Sequence, residues 1–243
     1  MIELLYDPQA WLSLATLTLL EIVLGIDNVV FISVLTGKLP PDQAKRARAL
    51  GLGLALLFRI VLLMFISWIV GLTATVFSAF GHGFSWKDLI LIAGGAFLIY
   101  KSVTHIHEEI EEDLPGETAA HAPNKFGMVV GQIIVIDIVF SIDSIVTAVG
   151  LAEHVEIMIT AVVLAMAVMF IASGPVGAFI QKHPTTKVLA LAFLLLIGFA
   201  LVADGIGFHI PRGYIYFSMA FAAGVEAINI VTRAKRRKKQ LHD

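Results

Sequence analysis

The chain contains no cysteine, which excludes disulfides and thiolate metal centres and leaves oxygen and imidazole as the available metal ligands. Charge is also scarce: charged residues make up 15% of the sequence against 58% hydrophobic ones, and the mean hydropathy is +0.88. That balance belongs to a polytopic membrane protein and not to a soluble domain of similar length. The N-terminus, Met1-Ile-Glu3-Leu-Leu-Tyr-Asp7-Pro, lacks a basic n-region, and no small-residue cleavage site follows it. No signal peptide is therefore expected, and the first apolar segment should stay in the mature protein. Histidine is missing from the deep apolar segments, since His82, His154, His183, His209 and His242 fall in connections or the tail. No nucleic-acid partner is expected of such a chain.

What is present is a succession of apolar windows, each near the length of about 20 residues that crosses a bilayer core. They run from Trp11 to Leu35, Leu50 to Val70, Leu89 to Tyr100, Met128 to Leu151, Ile157 to Ile180, Val188 to Ala203 and Tyr214 to Val231. The third has a short apolar core and must extend at one or both ends. An all-α fold of seven transmembrane helices follows.

Lysine and arginine set an orientation, because cytoplasmic connections carry their excess. Alternate connections give one side Lys38, Lys45, Arg46, Arg48, Lys101, Lys125, Lys182, Lys187 and the tail from Arg233 to Lys239, against Lys87 and Arg212 on the other. The N-terminus is expected outside and the C-terminus in the cytoplasm. The basic tail reads as a topology anchor that also meets anionic lipid.

Two copies of one motif interrupt the apolar pattern. Glu21-Ile-Val-Leu-Gly-Ile-Asp27-Asn28-Val-Val lies in the first span, and Asp137-Ile-Val-Phe-Ser-Ile-Asp143-Ser144-Ile-Val lies in the fourth. A charge at a helix centre costs about 2.5–3.5 kcal/mol on insertion scales, so four acids at matched places point to function. The second copy comes three spans after the first, so the two enter the membrane in opposite directions. Spans one to three and four to six are expected to form an inverted repeat with the seventh span outside it, and such repeats hold their site near the midplane. The expected organisation is one transmembrane domain over 1–243: repeat one at 11–104, an acidic cytoplasmic connection at 105–125, repeat two at 126–210, and the seventh helix with its tail at 211–243. Gly95-Ala-Phe-Leu-Ile-Tyr-Lys101 can also be laid on Gly198-Phe-Ala-Leu-Val-Ala-Asp204.

The deep carboxylates are Glu21, Asp27, Asp137, Asp143 and Glu226, with Asp204 nearer a span end, and Arg59 is the one deep base. The excess acid must be neutralised by protons or by a bound cation. Oxygen-only ligands suit Mg2+, Mn2+ or Ca2+ better than Zn2+ or Cu+. Residues six apart on a straight helix lie about 120° apart around it and about 9 Å along it, so the two acids of one copy cannot both bind one ion unless the helix bends. Gly25 and Ser141 sit where a local unwinding would free carbonyls. Without it, Glu21, Gly25 and Asn28 share a face, as do Asp137, Ser141 and Ser144, while Asp27 and Asp143 point elsewhere. Arg59 reads first as a counter-ion to one of the acids, Asp204 as a solvated helix end, and Glu226 either as a further ligand or as a protonated interhelical hydrogen bond. If the third helix continues past His105, then His105, Glu108, Glu109 and Glu112 share a face at the inner mouth, as a solvated end or a weak cation collector.

The segments Leu20-Glu21-Ile-Val-Leu-Gly-Ile-Asp27-Asn28 and Ser141-Ile-Asp143-Ser144-Ile-Val-Thr-Ala-Val-Gly150-Leu resemble the signatures of the TerC family, as do His183-Pro184 and Pro211-Arg-Gly-Tyr-Ile-Tyr-Phe217. The resemblance is to the short bacterial members with a membrane domain alone. It implies an inner-membrane protein related to the LysE-type exporters, in a family with members linked to Mn2+ efflux and to metal supply for exported enzymes. It also implies Glu21, Asp27, Asp137 and Asp143 as ion ligands. The second motif opens with Asp137 where the first has Glu21, which shortens one ligand's reach.

The expected function is export of a divalent cation, Mn2+ foremost, with Asn28, Ser144 and Glu226 joining the four acids as ligands and protons replacing the departing ion. No prosthetic group is expected, and a homo-oligomer is left open. Export of a small organic cation or amino acid, or a non-transporting role as a membrane partner or assembly protein, is the alternative. An enzyme is not expected, because the Gly-x-Gly-Asp pattern of intramembrane proteases is absent and the acids follow a repeat. A retinal pump is excluded because the seventh span holds Glu226 and no lysine.

Overall fold

A computed structural model describes residues 7–79, 81–111, 125–149 and 154–240. Among these, seven helices are long and apolar enough to cross a membrane. The first span begins where the Asp7 carboxylate accepts from the backbone N–H of Gln9 at 2.9 Å, ahead of Pro8. It comprises α1 (Pro8–Leu24) and α2 (Ile26–Thr36), which meet at Gly25. The second comprises α3 (Pro41–Met64) and a short α4 (Ile66–Gly71). The remaining spans are single helices: α5 (Trp86–Glu111), α6 (Lys125–Val149), α7 (Val155–Lys182), α8 (Pro184–Gly205) and α9 (Arg212–Gln240).

Among the described residues each apolar window of the sequence falls on helix, the first and second across two helices each. The third extends at both ends as required, and its start is fixed by a reciprocal cap. The Ser85 hydroxyl accepts from the Asp88 N–H at 3.2 Å, and an Asp88 carboxylate oxygen accepts from the Ser85 N–H at 2.8 Å. One element was not expected from the sequence. The connection between the second and third spans folds into an antiparallel hairpin, β1 (Thr75–Ala79) and β2 (His82–Ser85), turned at Gly81 with φ of +79°. Phe77 and Phe84 stack across it with ring centroids 5.1 Å apart.

The two motif helices occupy the centre. In the apolar window of α6, 61% of residues are buried, and in that of α1 and α2 the share is 56%; for α9 it falls to 11%, which puts the seventh span at the periphery. Small residues set the close approaches. A side chain at Gly25 would bring a Cβ to 2.2 Å from Met169 Sδ on α7 and 2.9 Å from the Glu21 carbonyl. Where α5 crosses α8, a Cβ at Gly95 would stand 2.6 Å from the Gly198 carbonyl, and one at Gly198 would stand 2.9 Å from the Gly95 carbonyl. The two glycines aligned in the sequence therefore face each other.

Of the two arrangements left open at Gly25 and Ser141, the first copy shows an interruption at Gly25 and the second shows none. At Gly25 the helix is interrupted between α1 and α2, though the Gly25 N–H donates to the Glu21 carbonyl at 2.8 Å and its own carbonyl accepts from Val29 N–H at 3.1 Å. At Ser141, α6 runs on unbroken. The Gly25 N–H is shared between the Glu21 carbonyl at 2.8 Å and the Ile22 carbonyl at 3.2 Å, so the interruption is local to one turn.

Candidate functional site

The acids of each motif copy fall on two side-chain faces. On the first face, Glu21 and Asp137 are 3% and 5% exposed, and Arg59 from α3, 2% exposed, stands with them. Arg59 Nη1 donates to Glu21 Oε2 at 2.6 Å, Nη2 to Asp137 Oδ1 at 3.2 Å, and Nε to Ser141 Oγ at 2.9 Å. The Ser141 hydroxyl donates in turn to Asp137 Oδ2 at 3.2 Å. Asn28 Nδ2 donates to Asp137 Oδ1 at 3.2 Å, linking the first motif to the second. The Ser144 side chain lies beside Glu21, and its hydroxyl donates to the Ser141 carbonyl at 3.3 Å. Two carboxylates and one guanidinium leave this cluster one negative charge in excess when all are ionised. Arg59 is thus the counter-ion the sequence suggested, for one acid of each copy at once.

On the second face the two copies part company. Asp143 is held between two cations: Lys87 Nζ at 3.1 Å from Oδ1, and Arg212 Nη2 donating to Oδ2. Lys87 comes from the first turn of α5 and Arg212 from that of α9. Asp27 has no such clamp. It lines a cavity of about 20 Å³, room for one water-sized particle, with Asp204, Arg212 and Tyr216 as its other polar walls. Arg212 is near enough for its charge to act on Asp27.

Two buried oxygens in this region have no hydrogen-bond donor, Asp27 Oδ1 and Asn28 Oδ1. Buried polar atoms without partners are uncommon and call for an explanation. They are consecutive residues of the first motif, one on each face.

The sequence-derived ligand set is therefore divided. Glu21, Asn28, Asp137 and Ser144 come together around Arg59, whereas Asp27 and Asp143 lie on the other face. Glu226 stands apart from both. Its Oε1 accepts from Thr185 Oγ1 and, at 3.3 Å, from Thr186 Oγ1, an interhelical hydrogen bond at the start of α8. Asp204, read from sequence as a solvated end, lines the cavity while its Oδ1 lies 3.2 Å from His209 Nδ1. Among the described residues, no three His, Asp or Glu side chains are grouped as a ready metal site. The acidic run after His105 begins as helix. Lys38 lies 2.6 Å from His105 Nδ1 and pairs with Glu108, and Lys187 pairs with Glu109, so lysines from neighbouring helix ends meet these groups. Glu112 lies outside the described residues.

Sequence reasoning missed Lys87, Arg212 and Tyr216. The signal was available in part. Lys87 and Arg212 were the two exceptions in a lopsided charge count, and each opens a span.

Helices that bury a network of ions at their centre while exposing apolar residues outward define an all-α, multi-pass membrane protein. Residues 6–241 match the integral membrane protein TerC family. The chain belongs to that family. It is 51% identical over 233 residues to a UPF0053 protein of Haemophilus influenzae, covering 96% of this chain and 98% of that one. It is 48% identical over 229 residues to the UPF0053 inner membrane protein YgdQ of Escherichia coli, covering 94% of this chain and 96% of that one. The UPF0053 inner membrane protein YoaE of Escherichia coli is 49% identical over 231 residues, which make up 95% of this chain and 45% of that longer protein. No solved structure matches the chain.

Proposed function

We propose that the protein is a transporter of the bacterial inner membrane that exports a divalent metal cation, Mn2+ foremost, through the oxygen cluster between the two motif helices. The observation that carries this reading is the buried, donorless Asn28 Oδ1 at the cluster that Arg59 builds from Glu21 and Asp137, one carboxylate from each copy of the motif, with a second donorless oxygen, Asp27 Oδ1, on the other face. An oxygen left without a donor in a low-dielectric interior is costly, and a bound cation relieves that cost. The ligands are carboxylate, amide and hydroxyl oxygens, which suits a hard ion of Mg2+ or Mn2+ type. The cavity at Asp27, on the other face, has room for a water-sized particle.

Passage is by alternating access, in which the two halves tilt about the central acids. The sequence repeat and the mutual contact of Gly95 and Gly198 support an inverted pair of halves. The side rich in lysine and arginine faces the cytoplasm, which puts the hairpin and the Lys87–Asp143–Arg212 ion pairs on the outer side. The protein works without a prosthetic group and is not an enzyme; its partners are the ion and the lipid around it.

The test is Mn2+ uptake into everted membrane vesicles containing the protein, beside Glu21→Gln and Asp137→Asn at equal expression. Uptake by the unaltered protein that is lost in both variants supports the reading, and the same assay with Mg2+, Ca2+ and Zn2+ ranks the ions. Absence of uptake for every ion rejects it.

A further inference from the structure

The exporter reading leaves a physical difficulty at its centre. Glu21 and Asp137 attract a divalent cation strongly, and a cluster that binds the ion on one side of the membrane must let it go on the other. Something positive has to take the ion's place as it leaves, since two bare carboxylates at this depth are costly. We propose that the Arg59 guanidinium is that replacement: a tethered competitor that occupies the ion's own ligands when the ion is absent and must vacate them when it binds. This inference rests on the exporter reading and adds to it the residue that sets affinity and release.

The geometry carries it. Each of the three guanidinium nitrogens takes one oxygen group that an ion between the motif helices would use: Nη1 on Glu21 Oε2, Nη2 on Asp137 Oδ1 and Nε on Ser141 Oγ. The planar fork spans both motif copies, as a metal bridging the two halves would. One further oxygen at the cluster is left over. Asn28 is 4% exposed, its Nδ2 donates to the same Asp137 oxygen that Arg59 holds, and its Oδ1 has no donor. A guanidinium has only donors to give and cannot fill a full ion shell, so a surplus acceptor is what a stand-in cation would leave behind. A purely structural counter-ion has no need of it.

Exchange between ion and arginine also sets the electrostatics of the cycle. With Arg59 in place the cluster keeps one excess negative charge. With a divalent ion bound to both carboxylates and the guanidinium displaced, the two acids are neutralised. Arg59 has to move along α3 away from the ion, and its return expels the ion.

The experiment is titration of Mn2+ onto purified protein by calorimetry, comparing the unaltered chain with Arg59→Lys and Arg59→Met, with thermal unfolding recorded alongside. Removing a close competing charge should tighten Mn2+ binding in Arg59→Met by about tenfold or more. Arg59→Lys keeps the charge but cannot hold three groups at once, so it should bind Mn2+ more tightly than the unaltered protein by a smaller factor, about threefold. Both should pass Mn2+ more slowly in vesicles, because release has lost its driving partner. A merely structural arginine gives the opposite sign: binding unchanged or weaker in both variants. If Arg59→Met does not fold, Arg59→Lys decides by the same criterion. Vesicle uptake by the unaltered protein with binding unchanged at position 59 rejects the competitor and leaves the exporter standing. No Mn2+ binding and no uptake by the unaltered protein rejects both.

Discussion

The two acids of the motif occupy matched positions in both copies, yet the first acids and the second acids live in different surroundings. Glu21 and Asp137 are drawn together by one guanidinium into a buried network that joins α1, α3 and α6. Asp27 and Asp143 are not joined in this way: Asp143 is clamped by Lys87 and Arg212, while Asp27 keeps an unpartnered oxygen against a small cavity. The reason is helical. Six residues turn the side chain by about 120°, so a motif with acids six apart faces two ways, and only one of those ways looks toward its twin. What surrounds the other is supplied by helices that do not carry the motif. The seventh span is mostly exposed, and its first two turns nonetheless deliver Arg212 and Tyr216 to these acids.

This contrast yields mutational outcomes in order of size. The largest belongs to the shared arginine. Arg59→Ala leaves two buried carboxylates with no base between them, and removal of one partner from a buried ion network costs about 3–5 kcal/mol; a large fall in thermal unfolding temperature is expected. Gly25→Ala comes next, because its Cβ would meet Met169 Sδ at 2.2 Å. Overpacking of that kind costs about 1–3 kcal/mol, and the pair Gly25→Ala with Met169→Ala should recover part of it in the same melt.

Between the second acids the order should split stability from transport. Asp143→Asn leaves Lys87 and Arg212 without their carboxylate and should destabilise the protein more than Asp27→Asn, since Asp27 has no comparable clamp and its Oδ1 has no donor. Equal melting of the two variants would break the distinction drawn here. Smallest of all is Glu226→Gln. An amide oxygen can still accept from Thr185 and Thr186, so stability should change by only about 0.5 kcal/mol and ion uptake should be unaltered. Loss of uptake in that variant would return Glu226 to the site.

Much of this was legible from the residues alone. Hydropathy located every span because an apolar helix in lipid must satisfy its own backbone and therefore announces its length. Periodicity placed Glu21 with Asn28 and Asp137 with Ser144, and those residues do gather around Arg59. The hairpin from Thr75 to Ser85 escaped notice because it is short and lies between spans, where a hydropathy window sees only a polar gap. Between the unwound and straight helices that the sequence left open at Ser141, the chain adopts the straight one, and the Ser141 hydroxyl serves Asp137 and Arg59 through its side chain while its backbone stays helical. Lys87 and Arg212 were assigned to the outer surface by charge counting, which registers which end of a helix a residue occupies and is blind to what it reaches. Their contact with Asp143 joins residues far apart in the chain, and no local pattern encodes it.

The central claim is that oxygen groups on the motif helices pass a divalent cation. The most direct measurement is Mn2+ flux into liposomes containing only the purified protein, with Asp27→Asn as the paired variant and melting curves to confirm that both are folded. The account predicts flux in the unaltered protein and its loss in a variant that melts normally. Flux that is absent from the unaltered protein, or equal in the two, would contradict it.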